Sequence, residues 1–234
     1  MMQNNIIAYE DEDVIIIDKP RNMQVYDNKN SISADLLSAI GKSEDVSNFK
    51  VVQKLDKETN GLMVIAKNDN AFEFISKQIS SNKMARKCLA IVFGNFDNSK
   101  LTINLPISYN THSNGSKLSV NRNGSKAITE VSIIKSFNQR SLIECVPKSG
   151  GSVMQVRVHL AYIHHPVLND KIYGIKNDYG QFMSKGKMFM KNSDYGHFLF
   201  VNKLSFIHPT TKNKVSFETK PDTFFSEALS QIEQ

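Results

Sequence analysis

One carboxylate stands out by its setting. The stretch Gln53-Lys54-Leu55-Asp56-Lys57-Glu58-Thr59-Asn60-Gly61-Leu62 puts Asp56 between two apolar runs, Phe49 to Leu55 and Leu62 to Ala66, that both read as strands. Asn60-Gly61 supplies the turn chemistry expected between them. A carboxylate at a strand end can serve as a nucleophile or a base, and locally a hairpin with a charged loop accounts for the same residues. A calcium loop is excluded. Asp56, Glu58, Asn60 and Gly61 fall on its first, third, fifth and sixth positions, but the twelfth, which needs a bidentate Glu, is Lys67.

The other reactive residue types are scattered. His159, His164 and His165 lack the i, i+4 spacing of a helical metal pair, and Cys88 and Cys145 form no CxxC or Cys/His pattern. No metal site, disulfide framework or cofactor is indicated, and a reducing, cytoplasmic setting is expected. Across 234 residues, 29 basic against 23 acidic side chains leave a net charge of +6, compatible with a polyanionic partner. No apolar run approaches the roughly 18 residues of a membrane span.

The elements that must position Asp56 follow from periodicity. Val14-Ile15-Ile16-Ile17 reads as a buried strand ended by Asp18-Lys19-Pro20, with Lys19 either solvated or facing a ligand. Ser31 to Gly41 reads as a helix with a serine cap, and Asp69 caps a second helix ending near Ser81. Lys87 to Gly94 and Leu101 to Ile107 are strands. The acid-free stretch Tyr109 to Ala127, with His112, Lys117, Arg122 and Lys126, is a basic loop or hairpin. Ile128 to Ser136 and Ser141 to Val146 pair. A helix spans Val153 to Ile163 with Arg157 beside its apolar stripe, where it either snorkels outward or reaches a carboxylate as a bidentate partner. Ile175 to Asn192 reads as a surface loop, His197 to Phe206 and Asn213 to Glu218 as a hairpin, and Asp222 to Gln231 as a last helix. Strands and hairpin-sized connections predominate, so the expectation is one α+β domain over residues 1–234 around a largely antiparallel sheet.

Four separated stretches, in one order, resemble the RluA-type family of RNA pseudouridine synthases. They are Tyr9 to Pro20 with its lysine-proline end, Gln53 to Leu62, Gln155 to Ala161 followed by His165 to Gly174, and Leu204 to Pro209. The family signature is usually His-Arg-Leu-Asp-x-x-Thr-Ser-Gly-Leu with a catalytic aspartate, here Asp56. The resemblance implies a bifurcated, mainly antiparallel sheet flanked by helices, a central cleft, and isomerisation of uridine in structured rRNA or tRNA. It casts Arg157 as the partner of Asp56, and Lys54, Thr59, Gly61, Cys88 and Leu160 as substrate-binding positions. Lys57, Arg86, Lys117, Arg122 and Lys126 are the expected RNA phosphate contacts. No cofactor, metal, membrane or obligatory protein partner is implied, and a monomer is expected. The opening strand begins within about a dozen residues of Met1, which leaves no room ahead of it for the S4 RNA-binding domain of some members.

The chain departs from the family pattern in places. Gln53-Lys54 replaces His-Arg, Asn60 replaces serine, Asn22 replaces a glycine, and Ser152 and Met154 stand for an Arg and a His. Cys88 occupies the position of a tyrosine that lines the base pocket. Two rival readings follow: an RNA-binding or remodelling protein that has lost catalysis on the same fold, and a glycoside or nucleoside hydrolase with Asp170 as the second carboxylate.

Overall fold

The β-branched run at residues 14–17 does what its stiffness favours. In the computed structural model, which describes residues 6–27, 32–42, 46–112, 115–149, 152–174 and 196–233, it forms the first four residues of a strand buried along nearly all its length. The contacts group into two compact units, Met1–Arg86 with Val201–Lys220 and Lys87–Phe200 with Pro221–Gln234.

In the first unit Ile7–Glu10 (β1) pairs antiparallel with Val14–Lys19 (β2), which stops at Pro20, where the ladder loses its donor. Lys50–Val51 (β3) and β2 both pair antiparallel with Asn60–Ala66 (β4), all seven of whose residues are buried. On its other side β4 neighbours Leu199–Ile207 (β11), of which this unit holds the residues from Val201 on. Strand β11 turns back antiparallel through Lys214–Glu218 (β12). Helix α1 (Ala34–Ala39) starts where Ser33 accepts a hydrogen bond from the Leu36 amide, and α2 (Asp69–Ser80) where Asn68 accepts from Ala71. Leu36, Ala71 and Ile75 turn inward to complete the core.

The second unit carries an antiparallel sheet in the order Ala85–Phe93 (β5), Arg140–Ser149 (β10), Ile128–Phe137 (β9) and Lys100–Asn104 (β6). Ile107–His112 (β7) and Gly115–Val120 (β8) form a separate two-stranded ribbon. Helix α3 (Val153–Tyr162) begins at the Ser152 cap and α4 (Thr223–Ile232) at the Asp222 cap. Phe225 of α4 packs 6.1 Å from Phe198 and 6.4 Å from Phe200, ring centre to ring centre.

The α+β, mainly antiparallel expectation holds, with local corrections. Asn60-Gly61 is no turn: it opens β4, and the connection from β3 is the longer loop 52–59. The strand expected over Phe49 to Leu55 shrinks to two residues. Helix α2 is capped by Asn68, not Asp69, and Ser33 caps α1, while Ser31 lies outside the described residues. The expected loop at Ile175 to Asn192 also lies outside them. Strand β1 went unread, because its four residues show neither length nor alternation.

Glycine at 61 has a steric reason. Its φ is +107°, and a Cβ there would lie 2.7 Å from the Val201 amide nitrogen and closer still to the Val201 carbonyl oxygen. Replacement Gly61→Ala is expected to cost about 1–3 kcal/mol from the backbone conformation alone, with the Val201 clash added to it. A thermal melt of the variant within a degree of the wild type would contradict this packing.

Candidate active site

Asp56 sits in the loop 52–59, partly exposed, as the first residue of a β-turn closed by the Thr59 amide donating to the Asp56 carbonyl at 3.1 Å. The loop is pinned along its length. The Val52 amide donates to the Val64 carbonyl at 3.1 Å, buried Gln53 donates through Nε2 to the Leu62 carbonyl at 3.2 Å, and Leu55 is buried. Tyr26 donates its hydroxyl to the Val51 carbonyl at 3.2 Å, and the Lys54 ammonium lies 5.1 Å from the centre of the Tyr26 ring. Lys54 and Lys57 are exposed, whereas Thr59 and Gly61 are enclosed.

Behind this turn lies Lys19, with none of its surface exposed. Its register partner across the β2–β4 ladder is Gly61, and its Nζ donates to the carbonyls of Pro20 and Lys57, each at 3.0 Å. Burial pulls its pKa down from 10.5 to about 7, the Asp56 carboxylate acts against that shift, and Arg21 adds to it. The sequence left Lys19 either solvated or facing a ligand, and burial removes the solvated alternative. Its reach to the Lys57 carbonyl is a tertiary fact.

In the second unit Arg157 is 2% exposed and makes a bidentate pair with Asp170, Nε to Oδ2 at 2.7 Å and Nη2 to Oδ1 at 2.7 Å. Asp170 Oδ1 also accepts from the amides of Ile172 and Tyr173, each at 2.9 Å. Burial pushes the Asp170 carboxyl up, but the hydrogen bonds and charge of Arg157 outweigh it and hold it below its ordinary value. The guanidinium lies 5.2 Å from the centre of the Tyr173 ring. Arg157 therefore does not snorkel. Its bidentate carboxylate is Asp170, which removes Asp170 as the second carboxylate of a hydrolase: both oxygens are committed to a buried pair.

The remaining expected positions are distributed by burial. Leu160 and Cys88 are fully enclosed, and Cys88 stands directly opposite Cys145 in the β5–β10 register. Burial first, then the neighbouring Cys88 and Glu144, pushes the Cys145 thiol up. Arg86, expected at the RNA phosphates, is 3% exposed, so its guanidinium is enclosed by protein rather than displayed. Lys117, Arg122 and Lys126 are exposed on or just beyond the β7–β8 ribbon. His159 is a core residue, with Nδ1 2.9 Å from the Thr129 hydroxyl and Nε2 2.9 Å from the Leu105 carbonyl, and burial lowers its pKa. The carbonyl can only accept, so Nε2 carries the proton. Among the described residues no three His, Cys, Asp or Glu side chains converge as a metal site, and no helix is long and apolar enough to cross a membrane.

Comparison with known proteins bears on what this arrangement is for. The family model described as RNA pseudouridylate synthase matches residues 13–162. The chain belongs to that family. It is 30% identical over 229 residues to an uncharacterized RNA pseudouridine synthase of Mycoplasma pneumoniae, covering 97% of this chain and 70% of that protein. It is 30% identical over 221 residues to ribosomal large subunit pseudouridine synthase D of Buchnera aphidicola, covering 91% and 68%. Among solved structures, Human RNA Pseudouridylate Synthase Domain Containing 4 shares the fold with a TM-score of 0.76 at 22% identity, over 97% of this chain and 92% of that one. The RluA-type resemblance and the pseudouridine synthase fold both hold, and the chain is an RNA pseudouridine synthase, an isomerase.

The buried charges yield two expected outcomes. An unfolded lysine keeps the ordinary pKa of 10.5, so between pH 7 and 10.5 the unfolded chain binds a proton that folded Lys19 does not. Raising pH through that window should stabilise the wild type relative to Lys19→Met, by at most about 1.4 kcal/mol per pH unit. Urea melts of both proteins at a series of pH values check this, and parallel pH dependences would contradict it. Substitution Asp170→Ala leaves Arg157 charged and buried without its carboxylate and should destabilise by about 3–5 kcal/mol. Denaturation midpoints of the two proteins measure that loss.

Proposed function

We propose that this synthase isomerises a uridine in structured ribosomal or transfer RNA, in the cytoplasm, with Asp56 as the catalytic group. The observation that carries the reading is the pinned turn: a partly exposed carboxylate on a loop fixed to β4 from one side and to the buried Lys19 amine from the other. Such a carboxylate is held in place before substrate arrives, which is what an attack on a sugar carbon requires.

The chemistry follows from the bond change. The N1–C1′ bond of uridine breaks, the freed uracil turns, and C5 bonds to C1′. The proton lost from C5 is balanced by one gained at N1. Asp56 acts at the sugar, either adding to C1′ or serving as base, and is ionised to do so. No water is consumed, so a single carboxylate suffices where a hydrolytic glycosidase needs two. The family resemblance assigns Arg157 as the partner of Asp56, and Asp170 fixes the guanidinium plane. No metal or organic cofactor enters these steps.

The target base must leave its stack to reach Asp56, so the RNA is gripped by its phosphates while the nucleotide flips out. Lys54, Lys57, Lys117, Arg122 and Lys126 are exposed and supply that grip. Arg86 drops out of the set because it is enclosed. With Cys88 in the tyrosine position, the sulfur fills a buried place opposite Cys145 rather than presenting a phenol.

The test is a pseudouridine map of total RNA, by carbodiimide labelling and reverse transcription, from cells with and without the gene. One or a few sites should vanish on deletion and return with the wild type but not with Asp56→Asn. A map unchanged by deletion would overturn the catalytic reading.

A further inference from the structure

A groove of about 390 Å³ is lined by β8, the C-terminal half of α3 and the residues 171–174. Its size lies within the range of ligand clefts, about 300–1,000 Å³. The floor is apolar, formed by Leu118 and Val158, which belong to the small core that joins the β7–β8 ribbon to α3. The rim is different in kind. Tyr162 is 56% exposed and Ile172 52%, while Lys117 and Lys171 bring two ammonium groups and none of the lining residues is an acid. Tyr109 of β7, the register partner of Leu118, is a further large exposed side chain, at 64%, on the ribbon and outside the groove's lining.

Apolar area of this kind is left in water at a cost of about 25 cal/mol per Å², and lysines beside it select a partner that carries both a flat apolar face and negative charge. A nucleotide has both. We propose that this groove binds an unpaired nucleotide of the substrate RNA, with the base against Tyr162 and Ile172 and the adjoining phosphate between Lys117 and Lys171. The inference rests on the RNA-modifying reading above and adds to it a stacking site as well as a charge.

The wall is built before any ligand arrives. Asp170 holds the amides of Ile172 and Tyr173, the Gly174 amide closes onto the Asp170 carbonyl at 2.8 Å, and Lys117 Nζ donates to the Ile172 carbonyl at 2.8 Å. The same ammonium lies 4.6 Å from the centre of the Tyr173 ring. An ammonium has three donors, so Lys117 can brace the loop and still face a phosphate. A preformed site loses little conformational entropy on binding, and a stacked base tolerates any sequence.

The test uses the full chain and a fluorescein-labelled single-stranded octauridylate, read by anisotropy. Tyr162→Ala should weaken binding about 5- to 150-fold, since stacking a base on an aromatic ring contributes on the order of 1–3 kcal/mol. Lys171→Gln should lower the slope of log affinity against log salt by about 1. A 4-thiouridine placed in the probe should cross-link within the peptide carrying Tyr162 or that carrying Ile172 and Tyr173. Both side chains substituted are exposed, and unchanged melting temperatures establish that the variants fold. Affinity and salt slope within twofold of wild type for both variants, or a cross-link elsewhere, overturns the proposal. So does a dimer in sedimentation that Ile172→Glu dissociates while octauridylate affinity holds, because the groove is then an interface between copies. Neither readout needs catalysis. If deletion leaves the pseudouridine map unchanged while the probe still binds through Tyr162, the enzymatic reading fails and the groove stands. If the map depends on Asp56 while the groove variants bind like wild type, the groove fails and the enzymatic reading stands.

Discussion

A lysine amine with no access to water must find oxygen atoms inside the protein, and the organisation around Asp56 follows from how Lys19 does so. The β-branched run of β2 and the all-buried β4 leave its stem nowhere to go but inward. At the end of β2 the ladder is about to be broken by Pro20, whose carbonyl is therefore at hand, and the second acceptor is the carbonyl of Lys57 in the Asp56 turn. The sheet core and the Asp56 loop thus share one hydrogen-bonded amine. A loop of eight residues is held by contacts on both flanks, which places the carboxylate on a fixed support rather than on a swinging connection.

The second unit solves a related problem with a different pair. Helix α3 is buried on nearly every side, so its Arg157 cannot reach solvent, and Asp170 meets it with both oxygens. A buried ion pair of this kind gives little net stability against an apolar replacement, but breaking it is costly and its fork geometry admits one arrangement. Asp170 then holds Ile172 and Tyr173 through their amides, and the Tyr173 ring lies within reach of both the Arg157 guanidinium and the Lys117 ammonium.

The substitutions that mark this chain within its family sit where packing can absorb them. Gln53 still donates a hydrogen bond to a β4 carbonyl, so the loop keeps its anchor without the usual histidine. Lys54 keeps a positive charge and rests on Tyr26 rather than presenting a planar fork. Cys88 faces Cys145 across two central strands, a small apolar pair in place of a ring that would have to be housed.

Much of the fold was legible in the sequence, because its signals are local. The run at 14–17, the helical spacing of 69–80 and 153–162, and the alternation of 128–137 against 140–149 each depend on side chains a few residues apart. The place of Asp56 in a loop leading into a strand was legible in the same sense. Where local chemistry competed with tertiary packing, the sequence misled: Asn60-Gly61 has the composition of a tight turn, yet Gly61 is there because the Val201 backbone passes too close for a Cβ. Arg86 and Arg157 have the same side chain as any surface arginine, and only the enclosing structure buries them. The pairing of Arg157 with Asp170 and the reach of Lys19 to Lys57 join residues 13 and 38 positions apart. Sequence alone determined most of the strands and helices and the place of Asp56 beside a strand, since those rest on periodicity and residue type. Tertiary structure decided the charge environment, because the energy of a charge depends on what excludes water from it, and that is a property of the packed chain.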